Sequence, residues 1–345
     1  MTRRILLSLL ALAPLTILLH YVAHLGAVTE FVLAAGALVP LAWLIGEATE
    51  HAGEHTGPGI GGFLNATFGN APELIIALIA VNDGLFDVVR GSLIGSVAGN
   101  LLLVLGFSLA LGGDAELDRR SSFNSLGLVW LAALIFLIPA VAGWSGDPER
   151  HSLAVLSTPV SIVLLLLYLA MTWRSLRRHR ALHDGADPVI EGWSLRAALV
   201  ALSLATIATA FVAEILVGSL QAFADRAHLS DFFVAAVIVA IVGNAAEHGG
   251  AVVVAARGKV KLAAEIALSS SAQVAVFLVG AVQLLAWLFG SLTLSFRPVE
   301  LGVLGASTLV VAGALWQGRS STLRGLLLIA AYAAAAAAFF LAGDR

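Results

Sequence analysis

The chain has 345 residues, 59% of them hydrophobic and only 12% charged, against about 25% charged in soluble globular proteins. A mean hydropathy of +0.96 excludes a soluble domain, and a net charge of −3 gives a nucleic-acid partner nothing to hold. Cysteine is absent, which removes disulfides and thiolate metal sites.

A span needs about 20 apolar residues. Read between charged or Gly/Pro breaks, eleven are expected, at 5–25, 28–53, 59–82, 85–111, 122–144, 152–173, 194–222, 231–256, 262–289, 299–317 and 323–342. Their runs are continuous and not alternating, so the fold class is an all-α integral membrane protein, not a barrel. Arg3-Arg4 before the first span could open a secretory signal, but no small-residue cleavage site precedes Tyr21 and His24, and a retained helix is expected.

The second span carries Glu47, Glu50 and Glu54 with His51 and His55 between them. Spacings of three and four place the acids along one helical stripe, as a cation access path would have them. Glu54 and His55 also fit a second reading, as residues already in interfacial water. His51-Ala52-Gly53-Glu54-His55 matches the H-x-x-E-H pattern of a zinc metalloprotease. Against that rival stand Gly53, which weakens the helix such a site needs, and Gly57-Pro58-Gly59, which ends it.

The third span holds Gly69-Asn70-Ala71-Pro72-Glu73, and 174 residues later the eighth holds Gly243-Asn244-Ala245-Ala246-Glu247. The same offset carries Gly95-Ser96-Val97-Ala98 onto Ser269-Ser270-Ser271-Ala272 and Gly106 onto Gly280, so the chain is internally duplicated. A carboxylate within hydrocarbon is costly and marks an ion or proton pathway. The plain alternative for Glu73 and Glu247 is a satisfied interhelical hydrogen bond.

Calcium takes six to eight oxygens, so two acids cannot complete its shell. Gly69 and Gly243 permit local unwinding, and Pro72, lacking an amide hydrogen, would free the carbonyl of Phe68. Asn70 and Asn244 add amide oxygens, and the fourth and ninth spans bring Ser96, Asn100, Ser270 and Gln273. Helix packing through small polar residues explains those four equally well when each is taken alone. His248 points about 100° away from Glu247 and serves as a proton relay or packs. Glu214 in the seventh span is a weaker counterpart of Glu50.

The segment 174–191 is the most polar internal stretch and reads as a solvated linker. Five spans lie on each side of it once the first is set apart, and an odd number per copy forces the copies into opposite orientations. The expected organisation is an extra helix (1–26), a first inverted repeat (27–174), a cytoplasmic linker (175–192) and a second repeat (193–345). With the N-terminus cytoplasmic, fourteen Lys and Arg fall on the inner side against five outside, which places the C-terminus outside. Two carboxylates a few ångströms apart in a low dielectric cannot both stay ionised when empty, so protons are the natural competing ligand.

From Gly46-Glu47-Ala48-Thr49-Glu50 through Gly61-Gly62-Phe63-Leu64-Asn65-Ala66-Thr67-Phe68-Gly69-Asn70-Ala71-Pro72-Glu73-Leu74-Ile75, the first copy resembles the calcium/proton antiporters, the cation exchanger branch of the calcium/cation antiporter superfamily. Gly243-Asn244-Ala245-Ala246-Glu247-His248 resembles that family's second repeat. The resemblance implies a ten-helix core of inverted repeats, calcium between Glu73 and Glu247, access paths at Glu50 and Glu214, and alternating access by movement of the second and seventh spans. The chain departs from the family at Lys261, where Asp is frequent, at Glu265 and Ser269, where Gly is frequent, and in its short central linker. The expected activity is exchange of cytosolic Ca²⁺ for external H⁺ across the cytoplasmic membrane, with both ions as substrates and no cofactor. Sodium- or potassium-coupled exchange on the same scaffold is the alternative. The sequence leaves the oligomeric state open.

Overall fold

The computed structural model describes residues 2–23, 25–182 and 192–345, with the backbone alone at 2, 3, 57–59, 62, 66, 174–182 and 246. The core of the expected linker, with Asp184, Asp187 and Glu191, lies outside the described residues. The described residues are helical apart from loops and one antiparallel bridge between Glu116 and Arg319.

In chain order the helices are α1 (Arg4–Ala23), α2 (Ala27–Phe68), α3 (Ala71–Asn82), α4 (Phe86–Gly112), α5 (Arg119–Gly143), α6 (His151–Leu182), α7 (Leu195–Ala227), α8 (Asp231–Gly243), α9 (Ala245–Ala256), α10 (Val260–Ala286), α11 (Pro298–Leu315) and α12 (Thr322–Ala342). Among the described residues nine helices are long and apolar enough to cross a membrane, or ten if α8 and α9, bent by 60°, count as one broken span. The expected eleven is not reached on this measure, and the reason is local. A side-chain carbon built on Gly61 would lie 2.9 Å from the Cα of Gly53, whereas eight residues of straight helix cover about 12 Å. The chain therefore doubles back through Gly57-Pro58-Gly59, and the third expected span is divided between a short return arm ending at Phe68 and the twelve-residue α3.

Both copies break their helix at the same asparagine. Asn70 precedes α3 with φ −101° and ψ 16°, and Asn244 precedes α9 with φ −94° and ψ 4°. This corrects the role expected of Pro72. It sits in the first turn of a new helix, where its missing N–H is one that a helix start leaves unpaired anyway.

Contacts between the copies are exchanged. Gly106 on α4 faces the backbone of Gly325 and Ile329 on α12, and Gly280, its counterpart on α10, faces the Ser161 carbonyl on α6. Thus the last helix of each half packs on the central helix of the other, an arrangement consistent with inverted repeats. Among the described residues the two long helices α2 and α7 make the most extensive pairwise contact. Gly91 and Gly95 let α4 approach Phe232 and the backbone of Ala236 on α8, the close approach through small residues that membrane helices depend on. Both α4 and α10 loosen into π-helical turns, at Gly99–Val104 and Val274–Leu278. Such turns recur at functional sites.

Candidate cation site

Glu73 lies in the first turn of α3 and Glu247 in the first turn of α9, where the positive end of the helix dipole favours a carboxylate. Each acid packs on the glycine of the other copy. A Cβ on Gly243 would stand 3.2 Å from Glu73 Cγ, and one on Gly69 would stand 3.4 Å from Glu247 Oε1.

Hydrogen bonds from α4 and α10 hold this centre. Ser270 donates to Glu247 Oε2 at 2.6 Å, and Asn100 donates to Ser270 Oγ at 3.1 Å. Asn244 Nδ2 donates to Ser96 Oγ at 2.9 Å and to the Ala240 carbonyl at 3.0 Å. Asn70 Nδ2 donates to Gln273 Oε1 at 3.4 Å. The structure thus brings together Gly69, Asn70, Glu73, Ser96, Asn100, Gly243, Asn244, Glu247, Ser270 and Gln273. Two acceptors there, Glu73 Oε2 and Asn244 Oδ1, are buried without a hydrogen-bond partner among the described residues. Buried oxygens in that state cost free energy until something donates to them or coordinates them. A hard cation does the latter.

The two acids border different spaces. A cavity of about 750 Å³ runs past Glu47, Glu50, Asn65 and Gly69 to Glu247. Glu73 instead borders an enclosed void of about 10 Å³ with Ser92, Ser96 and Ala240. Glu50 therefore stands on the open path, whereas Glu214 is exposed on α7 and lines neither space. His248 turns its ring toward Gly99 at the π-helical turn of α4, with Nε2 buried and no partner among the described residues, apart from the hydrogen bonds around Glu247.

The two histidines of the H-x-x-E-H pattern do not converge. His51 Nδ1 meets Glu54 Oε2 at 3.3 Å with its ring 5.2 Å from that of Trp193, while His55 Nε2 donates to the Trp193 carbonyl at 2.8 Å. Among the described residues no group of three His, Asp or Glu side chains is arranged to hold a metal ion. Nothing in this geometry supports a zinc protease.

Arg90 escaped the sequence reading, which placed it among outer-loop charges. It is 1% exposed and lies 2.7 Å from both Asp87 Oδ1 and Glu149 Oε1, with Thr293 beside it. The Glu149 oxygen approaches off the hydrogen-bonding line, so that contact is ionic and not an aligned bond. The i, i+3 pair Asp87 and Arg90 was the available signal. Asn65 and Ser92 also line the two spaces; Asn65 lay inside the motif quoted for the family resemblance without being singled out, and Ser92 carried no signal in the sequence.

A family model described as sodium/calcium exchanger protein matches residues 27–177 and 197–341. The Ca²⁺/H⁺ antiporter of Synechocystis is 36% identical over 98% of this chain and 97% of its own length. The Ca²⁺/H⁺ antiporter ChaA of Bacillus subtilis is 37% identical over 92% and 93%. Among solved structures, native YfkE superposes with a TM-score of 0.83 at 34% identity, covering 97% of this chain and 99% of that one.

Proposed function

Because the chain belongs to the sodium/calcium exchanger protein family, we propose that it exchanges cytosolic Ca²⁺ for external H⁺ by alternating access at a midplane site built on Glu73 and Glu247. It is a secondary transporter and not an enzyme. The observation that carries the reading is the reciprocal seating of the two acids, each against the glycine of the opposite copy, with buried acceptor oxygens left over around them.

The chemistry follows from charge. Two carboxylates in a low-dielectric centre require neutralisation, and either one divalent cation or protons supply it. Asn70, Asn244, Ser96, Asn100, Ser270, Gln273 and the glycine carbonyls add neutral oxygens to the shell of six to eight that calcium needs. Calcium loads as protons leave, and protonation expels it. The cavity that reaches Glu247 while Glu73 stays enclosed is one of the two access states. In the proposed orientation, with the N-terminus cytoplasmic, it opens to the cytosol.

Everted membrane vesicles test this reading. A pH gradient, acidic inside, is expected to drive uptake of radioactive Ca²⁺, and Glu73→Gln or Glu247→Gln to abolish it. Uptake driven by a Na⁺ or K⁺ gradient at equal pH, with none driven by protons, would replace the proton with that cation as coupling ion.

A further inference from the structure

On α10, Glu265, Ser269 and Gln273 recur every four residues and therefore share one face. Gln273 Nε2 donates to Ser269 Oγ at 3.4 Å, and Gln273 Oε1 accepts from Asn70 at 3.4 Å. This polar stripe ends at the residue that opens α3, three positions before Glu73. At 1.5 Å of rise per residue it places Glu265 about 12 Å from Gln273 along the axis.

The stripe is separate from the cavity at Glu247. Of this part of α10 only Ile266 lines that cavity, and none of the three polar residues does. Ser269 is exposed and Glu265 half-buried. Lys261, one turn earlier, is held by Asp118 at 3.6 Å, and Glu265 forms no ion pair among the described residues. An acid within a span and without a counter-charge requires water.

Resting on the function given above, we propose that Glu265, Ser269 and Gln273 form a route for protons to the site, apart from the cavity that admits the cation. The chemistry of the stripe selects its cargo. One hydroxyl and one amide along its length offer too few oxygens to replace the hydration shell of Ca²⁺, whereas a proton needs only a connected file of hydrogen bonds. The O–H bond of the Glu73 carboxyl breaks, its proton passes along water held by Gln273 and Ser269, and the Glu265 carboxylate accepts it. Glu265 then releases that proton to bulk water. Calcium arriving at Glu247 thus does not meet the departing proton in one passage.

The full chain in proteoliposomes tests the route, with Glu265→Gln, Glu265→Asp and Ser269→Gly measured in two assays. One is Ca²⁺ uptake driven by a pH gradient; the other is exchange of radioactive for unlabelled Ca²⁺ at equal pH, which moves no protons. Glu265→Gln is expected to slow proton-driven uptake by about tenfold or more while Ca²⁺/Ca²⁺ exchange stays within about twofold, with Glu265→Asp restoring uptake. Both assays unchanged, or both falling together, would overturn the route. A wild-type protein that exchanges Ca²⁺ for Ca²⁺ but takes up none under a pH gradient would overturn the antiport reading beneath it.

Discussion

Glu247 rests on Gly69, with Oε1 3.4 Å from where a side-chain carbon on that glycine would stand. The contact crosses between the copies, and Glu73 repeats it on Gly243. Methyl groups at the two glycines should therefore have graded effects. At Gly243 the methyl meets the flexible Glu73 side chain at 3.2 Å, while at Gly69 it collides with the Asn65 backbone carbonyl. Gly243→Ala is expected to weaken Ca²⁺ binding by about 1–2 kcal/mol, and Gly69→Ala to abolish transport. Calorimetric titration of the purified protein and vesicle uptake measure the two.

Among the described residues Ser270 is the one hydroxyl that donates directly to an acid of the site. Ser270→Ala leaves Glu247 Oε2 and the Asn100 amide unpaired at once, and hydrogen bonds to charged groups contribute about 1.5–3 kcal/mol. Apparent Ca²⁺ affinity should fall by tenfold or more on that scale, with Ser270→Thr close to wild type. Uptake measured across a Ca²⁺ series separates this loss of affinity from a loss of maximal rate.

Arg90 ties α4 to the loop carrying Glu149 through one contact of 2.7 Å and pairs with Asp87 of its own helix through another. Removing one partner of a buried ionic group leaves uncompensated charge and costs about 3–5 kcal/mol. Arg90→Ala should lower the thermal midpoint in detergent by more than any site substitution, and Arg90→Lys should lie between it and wild type. Fluorescence-detected melting orders the three.

Asp118 caps α5, accepting from the Ser121 amide at 3.0 Å, and pairs with Lys261. The Ser121 bond and the Lys261 charge hold its carboxyl below the usual carboxylate range. A depressed folded-state pKa contributes stability above the unfolded value and loses it as pH falls through the folded one. Asp118→Ala should therefore lower the melting midpoint slightly at neutral pH, and the difference from wild type should vanish in acid below that range. Melting curves across pH decide it.

His51→Ala should leave Ca²⁺ uptake within about twofold of wild type, because the half-buried His51 meets a partly exposed Glu54 and lines neither space beside the acids. Loss of all activity in that variant, with Glu73→Gln active, would revive the metal-protease reading of the histidine pattern.

The site was legible because hydrocarbon makes acids expensive: Glu73 and Glu247 stand out against apolar runs, and their common offset predicts that they meet. The break at each asparagine was only half legible. Glycine signalled unwinding, but Pro72 was assigned to a helix interior when it opens a new helix. The count of eleven is not reached by length and composition for the same reason, since a helix split at Asn70 leaves pieces too short to register as one span among the described residues. Arg90 was missed because a charge near the end of an apolar run resembles an interfacial residue until its partners are located. The pairing of Asn70 with Gln273 could not be read from the duplication, because 174 residues before Gln273 stands Gly99. Glu214 shows the opposite limit: its motif resembled that of Glu50, and its exposed place on α7 gives it no contact with either space.

The most direct measurement counts protons released as Ca²⁺ binds to the purified protein in weakly buffered solution. Wild type is expected to release protons in proportion to Ca²⁺ bound, approaching two per ion as the solution is made more acidic, and Glu73→Gln and Glu247→Gln should neither bind nor release. Ca²⁺ binding of wild-type affinity in either variant, or binding with no proton release at any pH, would contradict a shared site on the two glutamates.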